Sequence, residues 1–202
     1  NIVLNLSNNN FCPPYPECDG VPITSKQQQN TSDCPDCELD EIAADGMDCY
    51  SQSDLDVLVI FATNSGMASE YGDVIGMGTQ TWDGDGRLTD WDCQECGLSG
   101  SIPPEIGSLD KLTSLYLQDN ELSGSIPSEI GNLTELIYLS LSGNGLTGSI
   151  PPEIGSLTEL TYLILSLNEL SGSIPSGVGN LTELTSLDLG NNGLTDTIPS
   201  GI

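Results

Sequence analysis

A repeat of 24 residues fills the second half of the chain and limits its fold more than any other feature. Four copies begin at Leu112, Leu136, Leu160 and Leu184, each 24 residues after the one before. Every copy alternates leucines with other residues, then places an asparagine and later an Ile-Pro pair. A fixed period of this length predicts a solenoid, because one coil cannot bury its apolar side alone and must stack on its neighbours.

The spacing within one coil has a mechanical explanation. Leu115 and Leu117 lie on alternate positions, which predicts a short strand whose apolar side faces inward. Asn120 then turns the chain, and its amide is predicted to pair with backbone groups of neighbouring coils. One repeat earlier, the same frame places Trp91 and Cys93 at the two leucine positions, so five coils are expected.

These residues resemble the plant-type leucine-rich repeat, whose pattern is LxxLxLxxNxLxGxIPxxIGxL. The resemblance implies an α/β solenoid, a right-handed superhelix of 24-residue coils with a parallel β-sheet on its concave face. It also implies a small, disulfide-bonded helical cap at the N-terminal end. Known members are receptor ectodomains, inhibitors of secreted enzymes, ice-binding proteins and surface adhesins, so the fold alone does not name a function.

Two further segments precede the solenoid, which we place at 85–202. Residues 34–84 are predicted to form the cap, since an open stack would expose both its core and a strand edge. Within the cap, a capping-box pattern from Ser53 to Asp56 precedes an apolar run and predicts a helix at about 53–64. The β-branched content of this run leaves a strand open as the alternative.

Residues 1–33 resemble the end of a repeat array, although they stand ahead of it. A strand at Ile2–Ser7 followed by a Cys-Pro stop predicts that this segment completes the open end of another copy's solenoid. Repeated head to tail, that contact makes a filament. The same pattern also suits one period of a tandem polyprotein, or a protein clipped between two arrays. The predicted assembly strand comprises Ile2, Val3, Leu4, Leu6, Asn9 and Phe11, and the predicted acceptor end comprises Leu187, Leu189, Asn192, Leu194, Ile198 and Ile202.

The charge balance excludes several functions. There are 30 acidic and 3 basic residues with no histidine, a net charge of −27. Such a surface repels nucleic acid and anionic membranes, and no apolar run is long enough to span a bilayer. Without histidine, a serine or cysteine nucleophile lacks its usual base, so no catalytic residue and no enzymatic activity are predicted. The predicted partners are other copies of the chain, with other extracellular proteins or glycans as further candidates.

The seven cysteines all precede the regular repeats, which predicts disulfide-stapled ends on a secreted or cell-surface protein. Zinc is disfavoured, because there is no histidine and one CxxC pair occupies repeat positions. The prolines between Cys12 and Cys18 bend that segment back and favour this pair. The predicted disulfide cysteines are Cys12, Cys18, Cys34, Cys37, Cys49, Cys93 and Cys96, and the N-glycosylation sequons lie at Asn5, Asn30, Asn132 and Asn180.

No metal or other cofactor is predicted, with calcium left open as an alternative. Glutamates recur in one column at Glu135, Glu159 and Glu183, and such like-charge ladders need salt or bound cations to screen them.

The alternative function is a ligand- or protein-binding ectodomain, inhibitor or adhesin module that uses the concave face. Clustered aromatic residues are typical anchors of protein interfaces. The face is predicted to carry Tyr116, Tyr138, Tyr162, Ile164, Ser140, Asp92 and Asp188. Ice binding is the third hypothesis, based on a column of small hydroxyl residues at Ser99, Ser123, Thr147, Ser171 and Thr195.

Overall fold

The computed structural model describes residues 17–18, 21–22, 41–43, 49–67, 74–195 and 198–199. The predicted assembly strand at Ile2–Ser7 lies outside these residues, as do Cys12, Cys34 and Cys37. The described part is a solenoid of stacked coils with one α-helix packed at its N-terminal end.

The chain alternates short strands with single turns of 3₁₀ helix. The strands are β1 (Glu17–Cys18), β2 (Val21–Pro22), β3 (Glu41–Ala43), β4 (Cys49–Ser51), β5 (Thr79–Trp82), β6 (Leu88–Asp92), β7 (Ser99–Ser101), β8 (Ser114–Tyr116), β9 (Glu121–Ser125), β10 (Tyr138–Ser140), β11 (Gly145–Gly148), β12 (Tyr162–Ile164), β13 (Glu169–Ser173), β14 (Ser186–Asp188) and β15 (Gly193–Thr195). The α-helix is α1 (Gln52–Asn64), and the 3₁₀ helices span Pro104–Ser108, Ser128–Asn132, Pro152–Ser156 and Ser176–Asn180.

The first strand of every coil joins one six-stranded sheet, in the order β14-β12-β10-β8-β6-β5. Its neighbours pair in parallel with the register of the repeat, so that Leu115 lies opposite both Trp91 and Leu139. This confirms the parallel sheet and places Trp91 in the first coil. β5 runs antiparallel to β6 and forms the N-terminal edge of the sheet.

A second parallel sheet, β15-β13-β11-β9-β7, runs along another side of the coils. The Gly-Ser-Ile-Pro segment that follows the asparagine in the repeat predicts only an extended or turn conformation here. Paired residues of neighbouring strands are 22 positions apart in this sheet, not 24 as in the first sheet. Ser99 lies opposite Glu121, and Thr147 lies opposite Glu169. Neighbouring coils are therefore staggered along this side relative to the first sheet.

The core runs through the centre of the stack as columns of identical positions. In the second coil the fully buried side chains are Leu112, Leu115, Leu117, Leu122, Ile130 and Leu133. The second residue of the Ile-Gly pair is glycine for a steric reason. A Cβ on Gly131 would lie 2.6 Å from the carbonyl oxygen of Glu153 in the next coil. Only glycine lets the 3₁₀ helices approach this closely.

The asparagines form the inter-coil ladder that the spacing predicts. Asn144 donates from Nδ2 to the carbonyl oxygens of Leu117 (2.9 Å), Leu141 (3.1 Å) and Ser142 (3.2 Å). Its Oδ1 accepts the backbone N–H of Leu122 at 3.0 Å. One side chain thus satisfies backbone groups of two coils at a turn where no strand partner is available.

The cap helix α1 covers the first coil with Leu55, Leu58 and Phe61, all fully buried. The ring of Phe61 meets that of Trp91 edge to face, with centroids 5.0 Å apart. The predicted capping box from Ser53 to Asp56 does not begin the helix, however. Ser51 occupies the N-cap position without a side-chain capping bond.

Candidate functional site

The exposed face of the six-stranded sheet is the candidate site. Along each strand, successive side chains point to opposite faces. Leu115, Leu139 and Leu163 face the core and are fully buried. The residues between and beside them, including Tyr138 and Tyr162, face outward.

Three tyrosines form a continuous stack across this face, which we call the tyrosine ladder (Tyr116, Tyr138 and Tyr162). The ring centroids of Tyr116 and Tyr138 are 4.4 Å apart, and those of Tyr138 and Tyr162 are 5.1 Å apart, each pair tilted by 30°. Tyr138 and Tyr162 lie side by side in one column, whereas Tyr116 lies in the next column of the preceding strand. Ser140, opposite Tyr116, is only 3% exposed.

The ladder remains open to solvent, since Tyr162 is 41% exposed. Ile164 adds a half-buried apolar side chain on the same strand. Burial, first, and then the neighbouring Tyr138 raise the pKa of Tyr116, and the carboxylates of Asp92 and Asp90 raise it further. The face therefore combines stacked aromatic rings with negative charge.

Two exposed aspartates flank the ladder at either end of one column. Asp92 on β6 lies opposite Tyr116 on β8. At the other end of the column, Asp188 on β14 lies opposite Ile164 on β12. Each uses Oδ1 to accept a backbone N–H of its own turn, from Gln94 at 3.1 Å and from Gly190 at 3.0 Å.

The basic residues of the described chain form ion pairs away from this face. Arg87 pairs with Asp54 at 3.0 Å and with Asp110 at 2.6 Å, and Lys111 pairs with Glu135. Within residues 74–195, no lysine, arginine or histidine lies on the strands that form the face.

One exposed residue of this region differs in type from the residues at the equivalent positions of the other coils. Leu167 follows β12, is 56% exposed and has a φ of 57°. The corresponding positions of the other coils hold residues such as Asp119, Gly143 and Asn191, which adopt this left-handed conformation more readily. The leucine itself did not indicate this conformation in the sequence, and we include Leu167 in the candidate surface because it is exposed just after β12.

The predicted acceptor end is described in part. Leu187, Leu189 and Leu194 are partly buried against the core, and Ile198 is 72% exposed. Asn192 joins the asparagine ladder by donating to Leu165 O at 2.9 Å. The cavity beside this end is lined by Val178, Gly179, Leu181, Thr182, Leu184, Thr185, Ser186 and Leu187. The predicted partner residues Ile2, Val3, Leu4, Leu6, Asn9 and Phe11, and the acceptor Ile202, lie outside the described residues.

The remaining predicted sites lie away from the sheet. Cys93 and Cys96 are joined by a disulfide at the start of the first coil. The sequon residues Asn132 and Asn180 are exposed at the ends of 3₁₀ helices, whereas Asn5 and Asn30 are outside the described part. Among the described residues, no three acidic, cysteine or histidine side chains are grouped to hold a metal, and no helix is long and apolar enough to cross a membrane.

The repeats match a family model described as Leucine Rich Repeat over residues 111–133, 135–157, 159–181 and 183–202. No curated protein matches the chain. Among solved structures, the BIR3–SERK2 complex from Arabidopsis thaliana is similar with 36% identity and a TM-score of 0.63, covering 73% of this chain and 85% of that one.

Two other solved structures bear on function. The plant peptide hormone receptor RGFR1 in complex with RGF2 is 49% identical with a TM-score of 0.53, over 55% of this chain and 18% of that one. A plant ice-binding protein is 31% identical with a TM-score of 0.58, over 72% of this chain and 50% of that one. The chain spans 12% of the GASSHO1/SCHENGEN3 ectodomain and 62% of the BIR2 ectodomain, both from Arabidopsis thaliana.

Proposed function

The chain belongs to the leucine-rich-repeat family, and we propose that it is a non-enzymatic extracellular binding module whose concave sheet recognises a protein or peptide partner. The observation that carries this proposal is the tyrosine ladder on the exposed face of the sheet. Tyrosine supplies a large, rigid contact area with few rotatable bonds, which is why it is enriched at binding hot spots.

The ladder is not needed to build the solenoid. The core is filled by the inward leucines of the same strands, such as Leu139 and Leu163, which are fully buried on the opposite face of the sheet. Exposed aromatic stacking on a folded surface therefore supports a role in recognition. The similar structures named above include the BIR3–SERK2 complex and a plant peptide hormone receptor in complex with RGF2.

Filament assembly was the leading hypothesis from the sequence, and the comparisons give it no support. They favour the alternative of a binding ectodomain. The strand at Ile2–Ser7 that would mediate assembly lies outside the described residues. We therefore place the function on the concave sheet.

Selection from a displayed library of random peptides tests this proposal. The native chain is the bait, and each enriched peptide is then measured against a variant with Tyr116, Tyr138 and Tyr162 all changed to alanine. We expect peptides that lose at least about tenfold in affinity with this variant, because it removes the aromatic anchors. Circular dichroism should show that the variant keeps its fold.

A matched variant keeps the test specific. Changing Ser123, Thr147 and Ser171 to alanine alters three positions of the second sheet and should leave peptide binding unchanged. Enriched peptides that ignore the ladder, or a library that yields none, would contradict the proposal.

Ice binding is a second candidate, favoured by one observation on the second sheet. Its outer face carries small hydroxyl residues, although the predicted column is out of register, since Ser123 lies opposite Ser101 and Gly145 and not Ser99 and Thr147. The hydroxyls of Ser123 and Ser171 are exposed and donate only long bonds of 3.4 Å to Gly100 O and Gly148 O. The similarity to a plant ice-binding protein supports the same candidate. Inhibition of ice recrystallisation tests it. Thr147→Tyr, which raises a ring above this face, should abolish the inhibition, and the alanine variant of the tyrosine ladder should retain it.

A further inference from the structure

Two aspartates mark the ends of one column on the concave sheet. The column runs from Asp92 through Tyr116, Ser140 and Ile164 to Asp188, one residue from each strand. Because strands lie about 4.8 Å apart, four steps place the two carboxylates roughly 19 Å from each other.

Neither carboxylate has a basic partner within the described chain. Asp92 and Asp188 are exposed, and each accepts a backbone N–H through Oδ1 only. Arg87 and Lys111 are bound to acids outside the face. The negative charge here is therefore left for a partner to neutralise, within a chain whose net charge of −27 attracts cations from a distance.

The path along the column suits the stems of basic side chains, because tyrosine rings lie at one end of it and along one side. Tyrosine faces attract ammonium and guanidinium groups, and arginine also stacks flat on aromatic rings. Of these rings only Tyr116 lies in the column of the two aspartates, beside Asp92, whereas Tyr138 and Tyr162 line its flank in the neighbouring column, with Tyr162 the most open at 41% exposure. Aromatic contact and charge thus favour the same class of ligand.

We infer that the partner presents an extended basic segment that crosses the strands of the concave sheet, with one cationic side chain at Asp92 and another at Asp188. This inference rests on the proposed function and specifies its ligand. An extended chain advances about 3.3 Å per residue, so the two cationic residues are separated by about six positions.

Two synthetic peptides of identical composition test the spacing. One carries two arginines about six residues apart in an uncharged Ser/Thr/Leu chain with blocked ends, and its isomer carries them side by side. Calorimetric titration into the full chain should give at least about tenfold tighter binding for the spaced peptide, because only that peptide reaches both aspartates while crossing the ladder.

Matched charge variants separate this site from general attraction to an acidic protein. Asp92→Asn with Asp188→Asn keeps the Oδ1 acceptors of both turns and removes two charges. Glu105→Gln with Glu153→Gln removes two exposed charges from the 3₁₀ helices. The first pair should cost the spaced peptide about tenfold in affinity, and the second pair less than about twofold.

Equal binding of the two isomers, or equal loss with both pairs of variants, would overturn the inference. The proposed function would then be judged by the library selection alone. Ladder-dependent peptides without spaced basic residues would keep the concave sheet as the binding face and reject the basic segment.

Discussion

The buried carboxylate of Asp54 in the cap helix lies 3.0 Å from Nε of Arg87, which precedes the first strand of the solenoid. The same carboxylate accepts the backbone N–H of Leu88 at 2.8 Å. Arg87 continues outward to Asp110 and to the carbonyl oxygen of Ser108, at the end of the first coil. One polar chain therefore joins the cap to two parts of the stack.

Replacing Asp54 by alanine should destabilise the protein by about 3 kcal/mol, because it leaves a buried N–H of Leu88 without its acceptor and Arg87 without its inner partner. Urea unfolding followed by circular dichroism measures this loss. Asp110→Ala is the matched control, since that carboxylate is 57% exposed and its pair with Arg87 is worth at most about 1 kcal/mol. A larger loss with Asp110→Ala would show that the inner pair is not what holds the cap.

The buried asparagine of the fourth coil gives a second stability prediction. Asn168 donates to Leu141 O and Leu165 O and accepts the N–H of Leu146, and is only 8% exposed. Asn168→Ala should cost about 2–3 kcal/mol, because water does not reach these groups to replace the amide.

The corresponding change at Asn192 provides the comparison. Asn192 makes the same kinds of bond, but its contact with Gly190 O is exposed, so water compensates part of the loss. Hydrogen exchange should show the amide of Leu146 exchanging faster in Asn168→Ala. Equal destabilisation by both variants would contradict a burial-dependent role for the ladder.

The sequence predicted those parts of the fold that the period fixes. Equivalent leucines align 24 residues apart, so the strand register and the place of Trp91 followed directly. The asparagine contacts followed because the same amide recurs at the same turn. The link between Asp54 and Arg87 did not, since it joins residues 33 apart that share no repeat position. The stagger of the second sheet also escaped prediction, because it depends on how coils slide past each other.

The concave residues show the same division. The alternation of the strands predicted that Tyr138 and Tyr162 share a face, whereas the stacking with Tyr116 depends on ring orientation. The conformation of Leu167 could not be predicted, because the residues at the equivalent positions of the other coils indicate a left-handed backbone only weakly.

Leu167→Asn should stabilise the protein by about 1 kcal/mol, because asparagine adopts a positive φ at lower cost than leucine. The reciprocal change Asn191→Leu, at the equivalent position of the next coil, should destabilise it by a similar amount. Urea unfolding measures both. We also expect Leu167→Asn to weaken library-selected peptides, since the exposed leucine belongs to the candidate surface. A variant that unfolds more easily than the native chain would contradict this reading of the backbone.

Asn132 and Asn180 should both carry N-linked glycans when the chain is made in a eukaryotic secretory host. Both are exposed, and in each sequon the threonine N–H donates to the asparagine carbonyl at 2.9 Å, which presents the site in a turn. Asn132→Gln and Asn180→Gln should each lower the mass by one glycan, and Thr134→Val should reproduce the effect of the former. Peptide binding should persist in all three, because these sites lie on 3₁₀ helices away from the sheet. An unchanged mass would reject glycosylation at that site.

Alkaline titration should reveal Tyr116 as a late-ionising tyrosine. Burial is the largest cause of its raised pKa, followed by Tyr138, with Asp92 and Asp90 contributing less. Since the folded state keeps this proton after the unfolded state has lost it, the stability that Tyr116 contributes is complete below pH about 10 and declines as the pH rises through its folded pKa. The ultraviolet absorbance of tyrosinate measures the step. The ionisation step of Tyr116 should be absent in Tyr116→Phe. In Asp92→Asn it should shift only slightly in pH, because burial raises the pKa of Tyr116 more than the charge of Asp92 does. A large shift in Asp92→Asn would mean that charge, and not burial, controls the proton.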